Sequence, residues 1–220
     1  MKKEYVLGIT GGMAGGKSEA ASRLRRHFGM DEIDVDRVGH GILPAMRGAL
    51  LSAFGDAILD AEGQVSRPAL ARIVFASDEA LARLEAILHP PMRDEVARIL
   101  AAIPNNCVVV NAALLYRMRL DALCGTVVYI DAPREICIAR ALAKGGRTRE
   151  DIEKMLSRQE DINTGRSYAD VVIGNAASLA DFYDALDGFA QNFIRSQANG
   201  DAANLRAPDR QKEGTLYPEP

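Results

Sequence analysis

Residues 8–18 read GITGGMAGGKS, which sets Gly11, Gly16, Lys17 and Ser18 at the spacing G-x-x-x-x-G-K-[ST]. Each residue type in that pattern has a physical job. Glycines let consecutive backbone N–H groups turn toward one anion, in conformations that side chains obstruct. A helix opening at Lys17 adds the positive end of its dipole. The Lys17 ammonium neutralises the β- and γ-phosphates, and the Ser18 hydroxyl suits a Mg²⁺ ligand. The stretch Gly11, Gly12, Met13, Ala14, Gly15, Gly16, Lys17 and Ser18 is therefore read as a nucleoside-triphosphate site. The bland alternative is a glycine-rich turn without a ligand.

Phosphate binding alone does not choose among GTPase switches, ATPase motors and small-molecule kinases. No N-K-x-D element that would read a guanine follows a later strand. The run CVVVN ends in Asn111, so the acidic element of motor ATPases is at best degenerate. Small kinases are compact, and they add an acceptor-binding segment and a basic lid.

The elements that must carry this loop are legible as well. Short apolar, β-branched runs at Tyr5–Thr10, Glu32–Val35, Cys107–Asn111, Thr126–Asp131 and Asp170–Asn175 read as five strands covered on both faces. Helical patterns between them, beginning with Lys17–Phe28, imply parallel crossovers. The reading is an α/β core with a five-stranded parallel sheet over residues 1–35 and 105–195. Residues 36–104 read as a helical insertion broken by Pro90–Pro91. A polar stretch rich in Pro and Gly over 196–220 reads as a disordered tail. The segment RALAKGGRTRED, residues 140–151, pairs two glycines with Arg140, Lys144, Arg147 and Arg149, the composition of a mobile basic lid.

Composition sets the outer limits. The chain has 220 residues, 48% hydrophobic and 26% charged, with 27 basic and 30 acidic side chains and a formal charge of −3. That balance gives no general attraction for nucleic acid, so anion binding has to be local. No apolar run approaches the roughly 20 residues that cross a bilayer. The three cysteines lack metal-binding spacing and read as buried thiols. A cytoplasmic protein is expected, and nothing in the pattern specifies an oligomeric state.

Seven segments in order, GITGGMAGGKS, IDVDRVGH, GQVSRPALARIVF, LHPPMR, ALLY, VVYIDAPREICIAR and ADVVIGN, resemble the dephospho-CoA kinase family from Tyr5 to Phe193. The resemblance implies ATP and Mg²⁺ as co-substrate and metal, dephospho-CoA as acceptor, and a P-loop core with a helical substrate domain and a lid. It makes Asp36 the candidate general base toward the ribose 3′-hydroxyl, with Asp34 ordering water, metal or neighbouring side chains. A helix N-cap is the bland alternative at that position. His40, one turn after Asp36, also fits the family pattern, with a packed histidine as its alternative. Arg67, His89 and Arg93 become candidates for holding the acceptor's phosphates, against surface salt bridges or caps. Arg140 is the candidate catalytic cation, Lys144 and Arg147 belong to the lid, and Asn175 falls near the adenine. Two other readings stay open: a nucleotide- or CoA-binding relative without transfer, and a kinase for another small acceptor.

The chain departs from the usual family pattern in places. Ala14 stands at a usual glycine and is expected at negative φ, with Gly15 restoring freedom at the usual serine. Ala113 and Arg117 replace a proline and an acid, and Lys144 replaces an arginine. These changes bear on the substrate pocket and on a bidentate phosphate contact.

Overall fold

The computed structural model describes residues 5–104, 107–157 and 164–199. Five strands, β1 (Val6–Thr10), β2 (Asp31–Asp34), β3 (Val108–Asn111), β4 (Thr126–Asp131) and β5 (Val171–Gly174), form one parallel sheet in the order β2-β3-β1-β4-β5. The register pairs Ile9 with Asn111 on one side of β1 and with Val128 on the other. β1 is thus central, and the loop that follows it leaves from the middle of the sheet's carboxyl edge.

Strand periodicity decides what covers each face. Leu7 and Ile9 point toward α1 (Lys17–Phe28) and α8 (Leu179–Asn199), where they meet Ala20, Leu24, Phe182, Leu186 and Phe193 in a fully buried cluster. Gly8 points the other way. A Cβ there would stand 2.8 Å from Leu115 Cδ1 and 2.9 Å from Cys124 Sγ, so that face is already filled. Arg23 of α1 pairs with Asp187 of α8 and stacks 4.4 Å over the Tyr183 ring, which ties the two covering helices together.

The chain divides into two compact units. Among the described residues, residues 5–33 and 100–199 make the sheet unit, and Asp34–Ile99 makes the second. The second unit is helical: α2 (Val35–Ile42), α3 (Arg47–Phe54), α4 (Arg67–Val74) and most of α5 (Asp78–Ala102). Its own core gathers Leu50, Ile58, Leu70 and Val74, with Phe54 and Leu84 packed against them.

Besides one-residue shifts at strand ends, such as β2 at Asp31–Asp34 against the expected Glu32–Val35, two features of the helices differ from expectation. Pro90 and Pro91 do not break the helical pattern; they sit inside a continuous α5. Proline's fixed φ is itself helical, and what the pair removes is two main-chain donors. α8 also continues through Ser196 to Asn199, beyond the point where the polar tail was expected. Its buried stripe Leu186, Ala190, Phe193 is extended one turn by Gln197, which is only 8% exposed. The rest of the expected tail, 200–220, lies outside the described residues. No described helix is long and apolar enough to cross a membrane.

Candidate active site

The loop after β1 is a cradle whose shape is fixed from several sides. Gly11 has φ 145°, and a Cβ there would collide with the Ile130 carbonyl of β4. Gly16 has φ 114°, and its Cβ would overlap the Asn175 amide. Lys17 folds back across the loop, its Nζ donating to Gly11 O at 2.8 Å and Gly12 O at 2.9 Å. The Gly15 N–H closes the turn onto Gly12 O at 3.2 Å. The Tyr129 phenol oxygen accepts a hydrogen bond from the Gly12 backbone, which favours the phenolate, yet burial pushes that phenol's pKa up. At the tip, Met13 and Ala14 pack against Cys137, Ile152 and Leu156.

Ala14 corrects one expectation. It has φ 57°, the left-handed region that costs an L-residue roughly 1–2 kcal/mol, not the negative φ expected of an alanine. The strain is held by the methyl's contact with the apolar cluster of α6 (Arg134–Ala143) and α7 (Arg149–Ser157).

Helix α1 begins at Lys17 with Gly16 as its N-cap and no side-chain cap. Its first amides are therefore left for an anion. The Ser18 hydroxyl is exposed beside them. No cluster of three or more acidic, histidine or cysteine side chains able to hold a metal occurs among the described residues. A cation here would rest on Ser18 and the phosphates themselves.

Arg140 is placed differently from a mobile lid. It lies on α6 and its Nη2 donates to both Asn175 O and Asn175 Oδ1, each at 3.1 Å. Its Nη1 is buried with no hydrogen-bond partner among the described residues. The glycine turn itself, Lys144 to Arg147, is exposed, with Gly145 and Gly146 at φ 74° and 79°. Arg149 is spent on Glu135 at 2.8 Å and Glu153 at 2.7 Å, and Thr148 with Asp151 caps α7. The basic segment is thus one anchored arginine, one structural arginine and two exposed cations, Lys144 and Arg147, flanking a pair of glycines in the left-handed region.

Asn175 is 5% exposed and turned into the protein, its Nδ2 donating to Gly15 O at 2.8 Å. Its side chain therefore grips the phosphate loop instead of facing a base. A cavity of about 140 Å³ lies beside the loop, lined by Gly12, Gly15, Tyr129, Arg134, Cys137 and Leu156. Burial raises the Cys137 pKa, against the pull of Arg140 and Lys17, which keeps the thiol protonated and a poor nucleophile.

In the helical unit, Asp34 takes the cap. Its Oδ1 accepts from Asp36 N at 3.0 Å and from Arg37 N at 3.3 Å. The Asp36 carboxylate is exposed, without a partner among the described residues, and His40 is exposed one turn on. α2 and α5 approach at Gly39, where a Cβ would stand 2.8 Å from Met92 Cε. That contact sets the segment bearing Asp36 and His40 against the segment bearing His89 and Arg93. Arg67 is exposed at the start of α4, behind its Ser66 cap, and the structure does not gather it with the other four.

Three residues make contacts that the sequence did not assign to them. Tyr129 reads as strand filler, yet reaches Gly12. Asn111, read as a degraded acid, is 8% exposed and donates to Glu32 Oε1 at 3.2 Å. Ala113, the residue in place of the family's proline, offers its carbonyl to Thr10 Oγ1 at 3.0 Å.

A central strand running into a glycine cradle, an uncapped helix and a buried guanidinium edge fit a triphosphate, and this sheet with its loop defines a P-loop kinase of small molecules. A family model for dephospho-CoA kinase matches residues 5–181. The dephospho-CoA kinase of Thiobacillus denitrificans is 35% identical over 199 residues, covering 89% of this chain and 98% of that protein. That of Frankia casuarinae is 32% identical over 216 residues, covering 96% and 93%. Among solved structures, dephospho-CoA kinase from Campylobacter jejuni aligns with TM-score 0.66 at 25% identity over 90% of this chain and 98% of that one. TT1252 from Thermus thermophilus aligns at 0.73 and 29% over 85% and 96%. The chain belongs to the dephospho-CoA kinase family.

Proposed function

We propose that this protein transfers the γ-phosphoryl group of ATP to the ribose 3′-hydroxyl of dephospho-CoA, giving coenzyme A and ADP. The observation that carries the reading is the preformed loop: Lys17 bridges the Gly11 and Gly12 carbonyls, the α1 N-terminus carries no side-chain cap, and Arg140 is tied to the loop through Asn175. Phosphoryl transfer asks mainly for positioning and charge stabilisation, and fixed dipoles supply both.

In this reading the acceptor 3′-oxygen forms a bond to the γ-phosphorus as the bond to the β–γ bridging oxygen breaks. Asp36 takes the hydroxyl proton, its carboxylate being free because Asp34 performs the capping. Lys17 and Arg140 hold the phosphoryl oxygens, and ADP leaves with the bridging oxygen. Ser18 would hold a Mg²⁺ ion accompanying the nucleotide, and that ion would supply charge neutralisation. His40, His89, Arg93 and Arg67 are proposed to hold the acceptor's pyrophosphate and nucleotide, and Lys144 and Arg147 to close over the phosphates. The cytoplasm is the proposed compartment, supported by three free thiols.

The test is direct. Protein incubated with ATP, Mg²⁺ and dephospho-CoA is expected to form a product heavier by one phosphate, and Lys17→Ala to lose about 10³-fold in rate. Binding of ATP without that product, across replicate preparations, would replace this reading with a non-catalytic one. ADP release with a different acceptor from a panel would change the substrate.

A further inference from the structure

Asn175 is the residue immediately after β5, and its polar groups are spent on Gly15, Asp131 and Arg140, all far from it in sequence. Its main-chain N–H donates to Asp131 O at 2.6 Å, at the exit of β4. Its Nδ2 donates to Gly15 O at 2.8 Å. Its Oδ1 and its main-chain carbonyl both accept from Arg140 Nη2, at 3.1 Å each. Glycine at position 16 is what lets the amide enter, since a Cβ there would occupy the same space. Arg140 in turn keeps its other terminal nitrogen, Nη1, buried and without a partner among the described residues. A guanidinium is never neutral, and a buried donor left unmet is costly. That edge is set to receive an anionic oxygen.

We propose that Asn175 is a positioning residue for phosphoryl transfer: one carboxamide fixes the curvature of the loop at Gly15 and aims the open edge of Arg140. The inference rests on the kinase reading and deepens it. The amide is specific to the task because it donates on one side and accepts on the other. Aspartate offers only acceptors when ionised, and alanine offers neither. Loop and arginine then act as one unit, so removing either partner spoils the other's geometry.

The experiment is a double-mutant cycle on the full chain with Asn175→Ala and Arg140→Ala. It is read in kcat and KM for ATP and, separately, in calorimetric affinity for the non-hydrolysable analogue AMP-PNP. Each single variant is expected to lose about 10²-fold in kcat/KM. The double variant is expected to lose no more than the worse single one, because the pair is coupled. Losses that multiply, or an Asn175→Ala protein with wild-type kcat, KM and AMP-PNP affinity, overturn the proposal; a residue that only packs would move the melting temperature and leave those constants alone. Should Asn175→Ala not fold, Asn175→Asp replaces it. It retains an acceptor for Arg140 and sets a carboxylate against Gly15 O, so weaker AMP-PNP binding with an undiminished Arg140→Ala effect is expected, and wild-type AMP-PNP affinity overturns the clamp. If the wild-type protein phosphorylates no dephospho-CoA, the kinase reading falls while the AMP-PNP cycle still decides the role of Asn175.

Discussion

The phosphate loop and the Asp34–His40 segment are both turns from a strand into a helix, built to opposite ends. In the loop, Gly11 abuts Ile130, Gly12 is met by Tyr129, Met13 and Ala14 by α6 and α7, and Gly15 by Asn175. At the start of α2, one residue, Asp34, satisfies the backbone, and Asp36 and His40 stand in solvent. Dipoles that stabilise charge must not reorganise during the reaction, so they are pinned. On the proposed reading the Asp36 carboxylate takes a proton, and for that it needs an open lone pair when the acceptor arrives.

The largest effect expected from this contrast is chemical. Asp36→Asn keeps size and helix position but cannot accept the proton, so kcat should fall about 10³-fold with KM for ATP and melting temperature unchanged. A loss of folded stability instead would mean that Asp36 is pinned like the loop, and the contrast would fail. Next comes a test within the loop itself. Gly16→Ala meets the Asn175 amide at a positive φ, whereas a Cβ at Gly12 meets nothing within 4 Å. Gly16→Ala should cost about 2 kcal/mol in denaturant unfolding, and Gly12→Ala less than about 0.5 kcal/mol.

How far these regions were legible in the sequence follows from the distance over which each is determined. α1 and β4 lie at the bounds read from the chain, because a glycine motif and a β-branched run are local signals. The five-stranded parallel sheet followed from the same kind of pattern. Asn175 and Gly15 are 160 residues apart, and Arg140 and Asn175 are 35 apart. No local pattern announces such a pair. The same holds for Arg140: composition groups it with Lys144 and Arg147, while its hydrogen-bond partner, Asn175, follows β5. Asp34 and Asp36 are alike in composition, and only the φ and ψ of residue 34 decide which one caps.

Two smaller predictions bear on the local roles. Asp34→Ala removes the cap from α2 and should cost about 1 kcal/mol, measured by denaturant unfolding. Ala14→Gly releases roughly 1–2 kcal/mol of left-handed strain but gives an unfolded chain about 0.4–1 kcal/mol more entropy. The methyl's contact with the α6–α7 cluster is also lost, so a net gain near 0.5 kcal/mol is expected. A net loss would show that the contact of this methyl, not backbone freedom, governs the loop tip.

The smallest effect lies farthest from the chemistry, where α1 is held from behind. Arg23 holds the Asp187 carboxyl below its ordinary range, mainly through their hydrogen bonds. A carboxyl with a depressed folded-state pKa contributes stability above its unfolded value, near 4, and loses it as the pH falls through the lower folded value. Melting temperature measured from pH 7 downward should therefore separate wild type from Asp187→Asn by a constant margin at neutral pH. The margin should shrink below about pH 4, as the wild-type carboxylate is protonated. Raised salt should narrow it too, since both side chains are partly exposed. The absence of a margin at any pH would assign the α1–α8 contact to the Arg23–Tyr183 stack alone.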